Sequence, residues 1–226
     1  MAEVPDGPPP EFTYDPPQEP FLDIVHQDEE ILLLCKPSGL LSVPGKSLAH
    51  RDCLEARAQS RFPQAKPVHR LDMDTSGLLL MGLGRDAHRY LSIGFERRIV
   101  SKTYVALVYG LLEDEEGLID LPLICDWPNR PRQMIDYERG RPSQTRWRVV
   151  GFEDGHTRVE LIPLTGRSHQ LRLHMACLGH PILGDSFYAH KAALESAPRL
   201  MLHAQSLSFR HPKDGEGVSY TAPCPF

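Results

Sequence analysis

The sequence predicts a mixed α+β fold on a mainly antiparallel sheet, in a chain of 226 residues that is long enough for one sizeable domain. Three observations predict it. Most apolar segments have strand length rather than helix length. Turn formers such as Asp28-Glu29-Glu30 and Glu153-Asp154-Gly155 separate successive strand candidates, as hairpin turns do. Only about three stretches carry helical spacing.

In chain order, residues 1–19 read as an acidic, proline-rich arm, expected to be flexible, and residues 20–226 as the folded part. Residues 21–26 and 31–36 read as two strands, and Lys36-Pro37-Ser38-Gly39-Leu40, continuing to Val43-Pro44-Gly45, as an ordered loop. A short helix suits residues 51–61. A strand at 78–81 and a helix over 86–98 flank Gly82-x-Gly84-x-x-Ala87, the outline of a dinucleotide-binding turn. The acid that should follow about 20 residues on is missing, so these read as ordinary turn glycines. Residues 101–108 alternate as a half-buried strand, 118–124 form another, and 143–150 pairs with 157–164. Thr165 or Ser168 can cap a helix with Leu171, Met175 and Leu178 on its apolar face, ended by Gly179. Residues 200–209 and 218–222 supply the last strands.

Composition narrows the function classes. Hydrophobic content of 41% and charged content of 24% are those of a globular protein. No apolar run approaches the roughly 18 residues of a membrane span, and no secretory leader is visible. Five scattered cysteines without a C-x-x-C pair read as reduced thiols, and a cytoplasmic location is expected. The net charge of −5 argues against nucleic acid only until its distribution is seen. Nine of the 30 acids lie in residues 1–30, which have no Lys or Arg, so residues 31–226 carry 25 basic against 21 acidic side chains, a local net of +4. Six arginines (130, 132, 139, 141, 146 and 148) cluster against Asp136 and Glu138, as a solvated face or as a phosphate-contacting surface. Trp127 lies in the same stiff, proline-bearing segment, either packed under its loop or available for stacking.

The densest polar motif is His69-Arg70-Leu71-Asp72-Met73-Asp74-Thr75-Ser76-Gly77. It suits a carboxylate held at a sharp bend beside a strand, with a cation nearby to keep it ionised; a plain turn-forming Asp has the same local signature. Asp72 and Asp74 on one strand face would lie about 7 Å apart, within the broad range for an inverting glycosidase pair, but the Thr75-Ser76-Gly77 turn is expected to break that strand. His169 and His174 lack metal-ligand spacing and are expected to be structural hydrogen-bonders, with no metal.

The nonapeptide resembles the signature of the RluA-type pseudouridine synthases. Gly166-Arg167-Ser168-His169-Gln170-Leu171-Arg172 is similar to that family's second motif, and Lys36-Pro37-Ser38-Gly39-Leu40 to its N-terminal one. The match extends through residues 178–185 and Leu202-His203-Ala204, and covers the chain from about residue 20 onward. The resemblance implies a long sheet flanked by helices and loops around a central cleft, with no S4-like RNA-binding domain. It implies an isomerase that flips a uridine of structured RNA out of its stack and needs no cofactor. Residues 121–131 are similar to a compact subgroup acting on a 23S rRNA hairpin and on tRNA anticodon stem-loops. By this resemblance Asp72 does the chemistry, Arg172 partners it, and Tyr104 stacks on the uracil. Arg70 fills the space of the flipped nucleotide. His69, Arg167, His169, Arg130 and Trp127 are candidate substrate contacts, and a monomer is expected.

Overall fold

In a computed structural model of the protein, residues 13–226 are described; most of the expected flexible arm lies outside the described residues. Its described end is anchored. The Tyr14 hydroxyl donates to the Asp52 carbonyl at 2.6 Å and accepts from the Leu41 N–H at 3.1 Å.

In chain order the elements are β1 (Ile24–Gln27), β2 (Ile31–Lys36), α1 (Leu54–Arg61), β3 (Ala65–Pro67), β4 (Ser76–Leu83), α2 (Arg85–Glu96), β5 (Ser101–Val108), β6 (Glu116–Asp120), β7 (Leu123–Cys125), β8 (Gln133–Ile135), β9 (Gln144–Glu153), β10 (His156–Pro163), α3 (Gln170–Cys177), α4 (Lys191–Glu195), β11 (Leu202–Arg210) and β12 (Gly217–Thr221). The described residues group into two compact units. The first comprises Thr13–Lys102 and His203–Pro225, the second Thr103–Leu202 with the terminal Phe226.

The first unit carries a mixed sheet. β2 runs antiparallel to β1 and to β4, β3 is antiparallel to β4, β11 is parallel to β4, and β12 closes a hairpin with β11. The runs Ile31-Leu32-Leu33-Leu34 and Leu78-Leu79-Leu80-Met81 are apolar on both faces because both faces are covered; each of these side chains is at most 1% exposed. Ile31, Leu33, Leu78, Leu80, Leu91, Leu207 and Phe209 form one cluster of this core, where each fully buried aliphatic side chain is worth about 1.5–3 kcal/mol. The Asp28 carboxylate shapes the β1–β2 turn. Its Oδ1 accepts the N–H groups of Glu30 and Ile31, and its Oδ2 meets the rings of His26 and His211. Burial alone would raise its pKa; these hydrogen bonds outweigh burial and bring it to about 2. The glycines of the dinucleotide-like outline serve packing. A Cβ on Gly82 would come within 2.6 Å of the His88 main chain, so the glycine lets α2 lie close on β4.

On β4, β2 occupies one edge from Gly77 to Gly82, while β11 and β3 share the other. β11 takes Ser76 and Gly77, β3 takes Met81 to Leu83, and the chain carrying Asp72 leaves the sheet in the interval between them. The expected Thr75-Ser76-Gly77 turn is therefore corrected: the turn lies before Thr75, and β4 already begins at Ser76. Gly77 has φ +108°, and a Cβ there would collide with the main chain of Ala204 on β11.

In the second unit β10 pairs antiparallel with β5 and with β9, and β9 with β6. The expected strand over 118–124 is split. Pro122 has no N–H to give a ladder, so β6 ends at Asp120, and Leu123 starts a separate hairpin, β7–β8. Ala106, Val108, Trp147, Val159, Leu161, Leu171 and Met175 are among its core residues. The α3 cap expected at Thr165 or Ser168 falls instead on His169, in left-handed conformation at φ 53°. No side chain caps the helix; instead the Gln170 side chain ties down the loop before it, its Oε1 accepting the Thr165 hydroxyl at 2.7 Å and the Arg167 N–H at 3.0 Å. Gln170 through Ala176 are all buried, so α3 is enclosed on every side rather than amphipathic.

Candidate active site

Asp72 sits, half-buried, in a turn closed by the Thr75 N–H donating to the Asp72 carbonyl at 3.2 Å. Asp72 and Asp74 are turn residues, so the strand geometry behind a glycosidase-like pair does not apply. The loop after β2 holds this turn by its main chain. Lys36, 0% exposed, donates its Nζ to the carbonyls of Pro37, Leu40 and Met73 at 2.9, 2.7 and 2.7 Å. The Gly39 N–H also reaches Met73 O, at 3.0 Å, and the Ser38 hydroxyl donates to the Asp74 carbonyl at 2.7 Å. A buried ammonium is costly unless its protons are satisfied, and three carbonyls satisfy them here. Behind the turn, Ser76 Oγ lies 2.9 Å from His203 Nδ1, whose ring also meets the Ala222 carbonyl.

His69 and Arg70 flank the turn on its N-terminal side. Arg70 is exposed. His69 is turned inward: its Nε2 accepts the Leu80 N–H of β4 at 3.0 Å, and its ring stacks on Phe95 at 4.6 Å and 15°. Burial, and secondarily the charge of Lys102, push its pKa down to about 3, so the ring is neutral around pH 7.

In the second unit Tyr104 lies on β5 opposite Leu161 of β10, packed against the core yet half-buried. Arg172 projects from α3, 2% exposed, and makes a bidentate pair with Asp185: Nε to Oδ2 at 2.7 Å and Nη2 to Oδ1 at 2.6 Å. The guanidinium also lies 4.9 Å from the Phe187 ring centre and 5.5 Å from that of Tyr188. Burial alone would raise the pKa of Asp185; the Arg172 charge, its hydrogen bonds and the N–H groups of Phe187 and Tyr188 outweigh it and hold the carboxyl below its ordinary range. Asp185 is the residue that sequence reasoning missed. Its signal was its place at the end of the matching segment 178–185, which gave it no role.

His169 Nδ1 lies 2.8 Å from the Tyr188 hydroxyl, which also accepts the Gln133 N–H of β8. His174, fully buried, meets Thr145 Oγ1 and the Leu121 carbonyl, which makes it the structural histidine expected. Arg167 is half-buried beside Pro142. Trp127, 66% exposed, stands on the β7–β8 hairpin with the Arg130 guanidinium 4.7 Å from its ring, so it is not packed under its loop. The arginine-rich stretch is not one face. Arg132 is buried, Arg139 pairs with Asp136, and Arg148 pairs with Glu160.

A family model described as RNA pseudouridylate synthase matches residues 30–177. The chain is 55% identical over 214 residues, 94% of its length and 98% of the relative's, to the dual-specificity RNA pseudouridine synthase RluA of Salmonella typhi. The chain belongs to the RNA pseudouridylate synthase family. It is an isomerase of that class, and its α+β fold with a mixed sheet is the family's. The synthase is likewise 53% identical over 94% of its length to RluA of Escherichia coli strain K12, covering 98% of that relative. Among solved structures it matches human RNA pseudouridylate synthase domain containing 1 with a TM-score of 0.76 and 32% identity, over 96% of this synthase and 86% of that chain. Among the described residues no helix is long and apolar enough to cross a membrane.

Proposed function

We propose that this synthase isomerises uridine in a 23S rRNA hairpin loop and in tRNA anticodon stem-loops, working in the cytoplasm with Asp72 as its essential group. The observation that carries the assignment to Asp72 is its turn, whose main chain is gripped by Lys36, Ser38 and Gly39. Preorganisation of this kind is what a reacting carboxylate requires. The dual RNA target rests on identity above 50% to relatives named for dual specificity.

The reaction breaks the N1–C1′ bond, turns the base, joins C5 to C1′ and releases the C5 proton while N1 gains one. Nothing is oxidised or reduced and no group is transferred to a second molecule. Asp72 serves at the reacting nucleoside, and Arg172, held by Asp185, is its partner cation. Tyr104 stacks on the uracil. Exposed Arg70 fills the vacated place in the stack, which lowers the few kcal/mol that flipping costs. Trp127 and Arg130, already stacked on one another, grip unpaired nucleotides, with Arg167 and His169 as further contacts.

The test is tritium release from 5-tritiated uridine in separate 23S hairpin and anticodon stem-loop transcripts. Wild type is expected to release tritium from both, and Asp72→Asn to lose activity by on the order of 10³-fold or more. Turnover by Asp72→Asn would sink the catalytic assignment, and release from one RNA alone would sink dual specificity.

A further inference from the structure

On the N-terminal side of Asp72 the chain is held by two side chains, Ser42 and His69, that the proposed mechanism leaves unused. The Ser42 hydroxyl, 4% exposed, accepts the Leu71 N–H at 3.0 Å and donates to the Leu71 carbonyl at 2.7 Å, so one oxygen satisfies both main-chain groups of the residue before the aspartate. Leu71 is itself 7% exposed, and its main chain has left the sheet, so neither a ladder partner nor bulk water replaces that hydroxyl easily. Two residues earlier His69 does a related job. The ladder hydrogen bond of Val68 N–H to Leu80 O is the last main-chain bond of this edge before the chain departs, and the next β4 donor, Leu80 N–H, is met by His69 Nε2. The imidazole thus stands in for the carbonyl of a continuing strand. The Phe95 ring stacked at 4.6 Å fixes its plane.

We propose that Ser42 and His69 are positioning residues for Asp72: the ring lets the chain leave β4 without orphaning a buried N–H, and the hydroxyl fixes the direction in which Leu71 delivers the aspartate. This reassigns His69, a substrate contact by resemblance, to the scaffold, and it rests on the reading of Asp72 as the essential group. The chemistry specifies which replacements work. At position 69 the acceptor must reach as far as Nε2 and carry no proton there, which Gln Oε1 can do and Leu cannot. At position 42 a hydroxyl is required, since Ala neither gives nor accepts and a Cys thiol does both only weakly.

The experiment measures kcat and KM by tritium release on the anticodon stem-loop transcript, with the 23S hairpin in parallel, for wild type, Asp72→Asn, Ser42→Ala, Ser42→Thr, His69→Leu and His69→Gln. Circular dichroism at the assay temperature checks the fold. The expected result is a fall in kcat of about 10- to 100-fold for Ser42→Ala and His69→Leu, the scale of a catalytic group displaced by about 1 Å, with KM within about twofold. His69→Gln and Ser42→Thr recover most of it. If Ser42→Ala does not fold, the Leu and Gln variants at His69 decide. Wild-type kcat in Ser42→Ala and His69→Leu beside an inactive Asp72→Asn overturns the positioning role and leaves the reading of Asp72 intact. A rise in KM at unchanged kcat in His69→Leu also overturns it, by returning His69 to the RNA surface. Turnover by Asp72→Asn removes the underlying reading, and the positioning role with it.

Discussion

Asp72 in the first unit and Arg172 in the second are both held by hydrogen bonds, but the bonds fall on different parts of the two residues. Around Asp72 they land on the main chain of Leu71, Met73 and Asp74, from Ser42, Lys36, Gly39 and Ser38. Around Arg172 they land on the guanidinium itself, clamped by a carboxylate that is 0% exposed. A turn held through several main-chain hydrogen bonds can lose one of them at modest cost, because the others remain. A buried charge held by one bidentate carboxylate loses both of its bonds in a single substitution.

The largest expected stability effect lies on the arginine side. Asp185→Asn removes the buried bidentate partner of the Arg172 guanidinium, and urea unfolding should show a loss of about 3–5 kcal/mol, whereas Ser38→Ala, which removes one hydrogen bond to the Asp74 carbonyl, should cost about 0.5–1.5 kcal/mol. Equal losses in the two variants would erase the contrast. Next is the frame that sets the aspartate turn. Gly77→Ala forces a Cβ into the Ala204 main chain at a positive φ, and the expected cost is about 2–4 kcal/mol in the same experiment. A near-neutral Gly77→Ala would mean that the β4–β11 approach is looser than its register implies.

The smallest effect is a pH dependence. His69 has an ordinary value of 6.5 and a folded value of about 3, so between these the unfolded chain binds the proton that the folded chain refuses. Its contribution is fully present above pH 6.5 and drains away as pH falls toward 3. The urea midpoint of wild type should therefore fall between pH 7 and 5 by more than that of His69→Gln, which lacks the titrating ring. His174 is also depressed, mainly by burial, and contributes equally to both proteins, so the difference isolates His69. Asp185 is depressed as well, but its contribution is lost only as pH drops through its folded value, below the ordinary carboxylate value of 3.8. Parallel curves for wild type and His69→Gln would place His69 in water.

Much of this molecule was legible in its residue order. Apolar runs at 31–34 and 78–81 announced buried strands, Glu153-Asp154-Gly155 announced the β9–β10 hairpin, and Gly179 marked the end of α3. The two motifs around Asp72 and Arg172 carried the family. These signals are local: periodicity, turn chemistry and contiguous motifs are written within a window of neighbours. Tertiary structure alone decided the rest. β3, β7, β8 and α4 are too short to show a period. Ser42 reads as one more polar residue in a loop until Leu71, 29 positions away, folds against it. His69 has no sequence mark that distinguishes a ring facing RNA from one completing a ladder. Asp185 is recognisable as the counter-charge of Arg172 only once both are buried together. In each case the deciding quantity is a hydrogen bond between segments distant in the chain, and its energetic weight comes from the exclusion of water, which only the packed structure supplies.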